Sequence, residues 1–470
     1  MLFNKIHRFL FISFIVLLLY PTHITNSQVQ HKVFLPTVSG GYTSPFGAEI
    51  FPGTMAQEVY QDYVSDLGVQ WIRIGALYWR QVQAEEDAPF NEQAMARMDK
   101  DIENIHKAGL EPIIIVHGSP AWATINKPFP TACGAIREDK FEDFGKFLEW
   151  AVKRYKGKVK YWEIGNEPDI DPSLVSANQV FGCWGDIKDP YYGGEYFGKM
   201  LRYVAPIIRK TNPEAKIIMG GLALDTPQTT NPDLGKPEKF FEGVLRSGAA
   251  DSFDIVGFHS YPWYWYRELD YDYDADTRGP WKELGGFTVG KAKFLRDIMT
   301  KYGVNKPLFL NETALVCPAV TSVECPNPDF YESQVHYLTR MLARGLYSGI
   351  EQFGWYTLDW PGFRYGSLLN KDKEALPVYK AYKVFIDLAS TNSRPEKINV
   401  YDRDDTYIEA YRFTKSSTYI DILWGRDLST YYVLKPQGFL KAYDTYGEEI
   451  KPIGPYIPVS FGAVYIETMR

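Results

Sequence analysis

The sequence predicts a (β/α)8 barrel followed by a small C-terminal β-sandwich. Three observations carry this. Eight short apolar or β-branched runs alternate with stretches of helical periodicity, two of these runs stop on an Asn-Glu pair, and the alternation gives way to strands alone after Ser390. Parallel strands need helical crossovers, and eight such units close the sheet. A doubly wound open sheet is the structural alternative. With 470 residues, 45% hydrophobic and 23% charged, the chain is long enough for a barrel of about 250 to 350 residues and a smaller domain besides.

Residues 1–27 read as a signal peptide rather than as part of the fold. Lys5 and Arg8 precede an uncharged run over 9–20, short for a membrane span, and Thr25-Asn26-Ser27 offers a cleavage site before Gln28. An uncleaved anchor is the alternative, and the protein is expected to be secreted. The barrel is expected over 28–390, with strands at 46–51, 69–77, 112–116, 159–164, 216–219, 255–259, 307–310 and 352–356. Helical spacing appears in Val59, Tyr63, Val64 and Leu67 before Gly68, in Met95, Met98, Ile102 and Ile105 before Gly109, and in Phe141, Phe144, Leu148 and Val152 before Gly157. It recurs in Phe197, Leu201, Val204 and Ile208, then in Phe294, Leu295, Ile298 and Met299. Beyond Ser390-Thr-Asn-Ser-Arg-Pro395, strands are expected at 406–413, 418–424, 431–434, 439–444 and 464–468, forming a sandwich over 391–470. Lacking an obvious exposed aromatic platform, it reads as a structural domain packed on the barrel.

The net charge of −7, with no basic block, implies neither nucleic acid nor a membrane surface as partner. An aromatic content of 16%, with 34 Tyr and 12 Trp, leaves rings beyond core packing that suit the apolar faces of sugars. The four cysteines agree with an oxidising compartment and do not match zinc spacing. Three connectivities are open, of which Cys317–Cys325 as a local staple and Cys133–Cys183 as a clamp between loops are favoured. Asp270, Asp272, Asp274 and Asp276 alternate in one loop, but the EF-hand glycine and terminal glutamate are missing, so a solvated acidic loop is expected rather than a calcium site. No cofactor or metal is expected, and the oligomeric state stays open.

The chemical signal lies in Tyr161-Trp-Glu-Ile-Gly-Asn-Glu167 and Leu308-Phe-Leu-Asn-Glu312. Each places a carboxylate at the end of an apolar strand, and a closed barrel gathers all strand ends on one rim. Paired carboxylates there suit glycosidic bond cleavage, one protonating the leaving oxygen and the other attacking or stabilising an oxocarbenium-like carbon. Asn311-Glu312-Thr313 also fits the N-glycosylation pattern, which is rejected because a glycan there would fill the catalytic mouth.

Gly165-Asn166-Glu167-Pro168 and Asn311-Glu312 resemble the signature of glycoside hydrolase clan A, retaining enzymes on a (β/α)8 barrel, with similarity to family 39 and its relatives. Trp71-Ile-Arg73, His259-Ser-Tyr261, Gly354-Trp355 and the C-terminal sandwich belong to the same likeness. It implies a secreted glycosidase in which Glu312 is the nucleophile, its pKa held down by Arg73 and Tyr261, and Glu167 is the acid/base, kept protonated by the neighbouring charge. Asn166 would hold the 2-hydroxyl and Trp355 would floor the sugar site. His117 and Trp122 after the third strand, and His259 on the sixth, are further candidates for lining it. The segment Tyr261-Pro-Trp-Tyr-Trp-Tyr266 is expected to add a stacking wall. A metal-dependent barrel hydrolase is disfavoured because, of seven His, only His117 and His259 sit at strand ends. A carbohydrate-binding pseudoenzyme is the alternative, and its expected mark, loss of one glutamate, is missing.

Overall fold

The eight apolar runs pair in chain order, each with the next and the eighth with the first, and close a parallel barrel. The computed structural model describes residues 44–125, 134–175, 182–224, 236–267, 269–273, 281–391, 393–401 and 407–470. The expected signal segment, Cys133 with its pairing to Cys183, Asp274 and Asp276 lie outside the described residues. The strands are β1 Phe46–Ile50, β2 Trp71–Tyr78, β3 Glu111–His117, β4 Tyr161–Asn166, β5 Lys216–Leu222, β6 Ile255–Ser260, β7 Leu308–Thr313 and β8 Gln352–Trp355. Around them run α1 Glu58–Leu67, α2 Trp79–Val82, α3 Ala96–Lys107, α4 Phe141–Arg154, α5 Gly194–Thr211, α6 Phe240–Arg246, α7 Phe287–Lys301, α8 Pro328–Ser348 and α9 Pro377–Ala389.

Local chemistry explains these elements. In α4, Phe144, Leu148, Ala151 and Val152 recur at the spacing of one helix face, and all are buried. The start of α8 is set by Asn327, whose side chain accepts a hydrogen bond from the Phe330 N–H at 2.7 Å, with Pro328 in the first turn. It ends on Gly349, at φ 88°, where a side chain would be strained. Inside the barrel, a Cβ on Gly47 would lie 2.2 Å from the Trp71 ring and one on Gly354 2.6 Å from it. Two glycines thus make room for one indole, which fills the barrel below the charged layer.

After α9 come β9 Glu396–Lys397, β10 Ile408–Thr414, β11 Thr418–Gly425, β12 Tyr431–Leu434, β13 Phe439–Tyr443, β14 Tyr456–Val459 and β15 Val464–Met469. They form a five-stranded antiparallel sheet in the order β13-β15-β11-β10-β9 and a two-stranded sheet β12-β14. Because strand residues alternate between faces, the larger sheet serves two cores. Ile408, Ala410, Leu423, Val464 and Ile466 pack with Val433, Ile457 and Val459 of the smaller sheet, while Tyr411, Phe413, Ile422, Trp424 and Tyr465 join the barrel core. The sequence reading missed β9, two exposed residues, and β14, four residues containing a proline, both too short or too broken to show a period.

One expectation is corrected. The acidic loop after β6 is not solvated at Asp270 and Asp272, which are 9% and 0% exposed. Arg344 of α8 donates to both oxygens of Asp270 at 2.9 and 2.8 Å and to both of Glu409 on β10 at 2.9 and 2.7 Å. It reaches Asp272 at 3.4 Å as well. Counting alternate aspartates could not reveal a partner more than seventy residues away. Removing one member of a buried pair strands the others' charge, at a cost of about 3–5 kcal/mol. Arg344→Ala should lower the unfolding free energy by about that amount in denaturant titrations; a loss under about 1 kcal/mol would show that water compensates the carboxylates.

Candidate active site

Arg73, fully buried on β2, organises the barrel mouth. Its Nε and Nη2 each donate to Glu163 of β4 at 2.8 Å, and Nη2 also donates to the Asn166 side-chain oxygen at 3.0 Å. Its Nη1 donates to Glu49 of β1 and to Glu312 of β7. One guanidinium therefore faces three carboxylates. Burial pushes the Glu49 carboxyl up; Arg73 opposes this, but the Glu312 and Glu163 charges add to it, so Glu49 titrates well above the usual range.

Glu312 differs from Glu49 in its other neighbours. Tyr261 donates its phenol O–H to Glu312 Oε2 at 2.6 Å, and His259 Nδ1 lies 3.4 Å from the same oxygen. Burial raises its pKa, but the positive charges of His259 and Arg73 and the hydrogen bonds from Tyr261 and Arg73 outweigh burial and hold it below the ordinary glutamate value. His259 Nδ1 also lies 3.0 Å from Glu167 Oε1, bridging the two glutamates. Burial disfavours charge on His259, yet the Glu312 and Glu167 carboxylates and the hydrogen bond to Glu167 raise its pKa. Glu167 itself sits just past β4 with φ 46°, a left-handed conformation that turns its side chain over the mouth. Its N–H donates to the Gly221 carbonyl at 2.8 Å.

The structure thus brings Glu167, Glu312, Arg73, Asn166, His259 and Tyr261 together. One donor atom from each of Glu167, His259 and Glu312 lies within 4.8 Å of the others. Such spacing would also suit three ligands of one cation, but Arg73 and Tyr261 already donate to the two Glu312 oxygens. Gly221 is needed here: a Cβ on it would lie 1.9 Å from His259 Nε2.

Two expected rings, Trp355 and Trp122, fall elsewhere. Trp355 does not floor the mouth: it is 1% exposed, donates Nε1 to the Gly366 carbonyl at 2.6 Å and packs against Tyr337 of α8. The next ring, Tyr356, lies just past the end of β8. Tyr356 meets Tyr261 edge to face at 6.0 Å, and its pKa is driven up by burial and by the charges of Glu49 and Glu312. Trp122 lies edge-on to the buried Trp79 at 5.0 Å with Lys140 over its ring, ties to the α2 and α4 layer rather than to the carboxylates. His117 ends β3 against Tyr78 at 4.9 Å, and burial with the nearby Arg73 and Arg80 pushes its pKa down to about 3, so it is neutral. Of the 261–266 segment, Tyr264 is buried while Trp265 and Tyr266 are exposed. Cys317 and Cys325 are disulfide-bonded in the loop after β7.

Glu49, Glu163 and Tyr356 were missed from sequence. The available signal was a glutamate inside each of two otherwise apolar strands, Phe46-Gly-Ala-Glu49-Ile and Tyr161-Trp-Glu163-Ile.

Fold and mouth define a clan A glycoside hydrolase. A family model described as Cellulase (glycosyl hydrolase family 5) matches residues 35–319, and the chain belongs to that family. It is 28% identical over 158 residues to the aryl-phospho-β-D-glucosidase of Bacillus subtilis and 23% identical over 175 residues to a 6-phospho-β-glucosidase of Clostridium longisporum. These stretches are 31% and 36% of this chain, and they span only 32% and 36% of the two relatives. A family 39 glycoside hydrolase from Bacteroides cellulosilyticus shares the fold with a TM-score of 0.66 at 19% identity, over 91% of this chain and 81% of that one. A family 30 endoxylanase from Clostridium papyrosolvens does so at 0.59 and 12% identity, over 91% and 96%. Among the described residues no helix is long and apolar enough to cross a membrane.

Tyr261→Phe tests the electrostatics. Losing a hydrogen bond to a charged carboxylate should raise the Glu312 pKa. An activity that needs the ionised form of Glu312 would then have the acidic limb of its kcat/KM moved to higher pH; an unmoved limb would show that Tyr261 does not stabilise the charge.

Proposed function

We propose that this protein hydrolyses β-O-glycosidic bonds by double displacement with retention of configuration, Glu312 acting as nucleophile and Glu167 as acid/base. The observation that carries the reading is the close approach of these two carboxylates, with donor oxygens within 4.8 Å of one another. Retaining enzymes hold the pair at about 5 to 5.5 Å, too close for a water to attack between carboxylate and sugar. The electrostatics support the same division. Arg73, His259 and Tyr261 favour the charged form of Glu312, as attack on the anomeric carbon requires.

The acid step needs one proton near Glu167, and the 3.0 Å line to His259 Nδ1 supplies a place for it. Either the imidazolium donates to an ionised Glu167 or a neutral ring accepts from its acid form. Glu167 gives the proton to the leaving oxygen as the bond to the anomeric carbon breaks and the ester to Glu312 forms. With Glu312 esterified its charge is gone, and Glu167 then removes a proton from the water that cleaves the ester. Asn166, its side-chain oxygen occupied by Arg73, turns its amide nitrogen to the 2-hydroxyl. The Cys317–Cys325 disulfide supports action in an oxidising compartment outside the cytoplasm, to which residues 1–27 would direct the chain.

Glu312→Ala should abolish turnover, with azide restoring part of it from the vacated face. Glu167→Ala should slow substrates with poor leaving groups far more than activated aryl glycosides, because protonation matters little when the leaving group is already a stable anion. Equal losses on both would exclude Glu167 as the acid. Proton NMR of the first-formed anomer decides the stereochemistry. The β-anomer is expected from a β-glycoside, and initial release of the α-anomer would mean that Glu312 activates water instead.

A further inference from the structure

His259 stands where the barrel ladder is irregular on both sides. Between the pairs Met219↔Val256 and Leu222↔Phe258, β5 advances three residues while β6 advances two; between Phe258↔Leu310 and His259↔Glu312, β7 advances two while β6 advances one. Such irregularities re-aim a side chain at the expense of regular backbone pairing. A buried cation from α7 meets the backbone here. Lys291, 1% exposed, donates from Nζ to the His259 carbonyl at 2.9 Å and to the Ala223 carbonyl, just past β5, at 2.8 Å. Its ammonium also lies 4.3 Å from the centre of the Phe287 ring, one turn earlier in the helix. Thr288, on the same helix face, bonds to the Ser260 hydroxyl at 2.7 Å, so α7 holds the last two residues of β6.

Both carbonyls lead to Glu167. His259 reaches it through Nδ1 at 3.0 Å. Ala223 and Leu224 donate their N–H groups to the two oxygens of Asp169 at 2.9 and 2.6 Å, and the fully buried Asp169 is separated from Glu167 by Pro168 alone. One ammonium thus ties the strand end that bears the histidine to the strand end that anchors the segment bearing the acid.

We infer that Lys291 is a positioning residue for the proton transfer: by bridging the Ala223 and His259 carbonyls it holds the imidazole against Glu167. This rests on the proposed glycosidase reading. Without the bridge the ring and the acid drift apart, and a misplacement of about 1 Å can cost on the order of a hundredfold in rate. Glu312 keeps Arg73 and Tyr261 as donors, so the loss falls on the acid step.

Two variants test it: Lys291→Met, which replaces the ammonium with an apolar chain, and Lys291→Gln, whose amide can still donate to one carbonyl. Each is compared with the unsubstituted protein on phenyl and dinitrophenyl β-glucosides and β-xylosides. With Lys291→Met, kcat/KM on the phenyl glycoside should fall at least tenfold further than on the dinitrophenyl glycoside, whose leaving group needs little protonation. Equal losses on both, or no loss, overturn the proposal, since loosening of the fold removes active enzyme from both substrates alike. Nitrogen NMR of the His259 ring, assigned by its disappearance in His259→Gln, gives a readout that needs no turnover. The groups facing that ring are Glu167, Glu312, Arg73 and Tyr261, with Lys291 on its backbone carbonyl. Removing the Lys291 charge alone would raise the imidazole pKa, whereas losing the Glu167 contact lowers it. A fall is expected in Lys291→Met, and a rise or no change overturns the proposal. If neither variant folds, Lys291 serves the barrel rather than the histidine, and the proposal fails. A fall in a protein that hydrolyses no glycoside would count against the hydrolytic reading alone.

Discussion

A single buried guanidinium shared among three carboxylates is the constraint around which the mouth is arranged. Arg73 could not be withdrawn from water without partners, and Glu49, Glu163 and Glu312 could not be buried within reach of one another without it. The mismatch of three acids to one base falls on Glu49, whose pKa is raised well above the ordinary value by burial and by the Glu312 and Glu163 charges. Glu312 escapes that fate because Tyr261 and His259 lie on its other oxygen. Its charge is thus a property of the cluster rather than of the glutamate.

Steric room makes this electrostatic arrangement possible. The indole of Trp71 fills the barrel under Arg73 only because β1 and β8 present glycine to it, and His259 reaches both glutamates only because β5 presents Gly221. These glycines hold space for side chains from neighbouring strands, so the charged layer depends on residues that carry no chemistry themselves.

Much of the barrel was legible because its strands are apolar throughout and its helices carry a regular buried stripe. Both glutamates were legible because each ends such a strand after an asparagine. What escaped notice had no local period or depended on the facing of one residue. Trp355 ends β8 and Tyr356 follows it, and only the path of the chain decides which of these adjacent rings lies beside the carboxylates. Asp270 and Asp272 resemble a hydrated acidic run until α8 supplies Arg344. Glu49 shows no sign in sequence that its pKa is raised, since that follows from burial in the closed barrel and from the charges of Glu312 on β7 and Glu163 on β4.

The larger C-terminal sheet, with alternate residues of β10, β11 and β15 committed to the barrel side and to the smaller sheet, bears on how this chain could be rebuilt. A domain attached by a linker can be exchanged for another at little cost, whereas this sheet forms part of the wall of the catalytic body, and Glu409 reaches through Arg344 to the loop that begins at Tyr261. Cutting the chain near Ser390 would lay open a face of aromatic rings and leave a buried arginine short of an acid. The catalytic barrel is therefore not a portable unit. Recombination of this protein with other carbohydrate-acting domains should occur outside both parts, with barrel and sandwich inherited together.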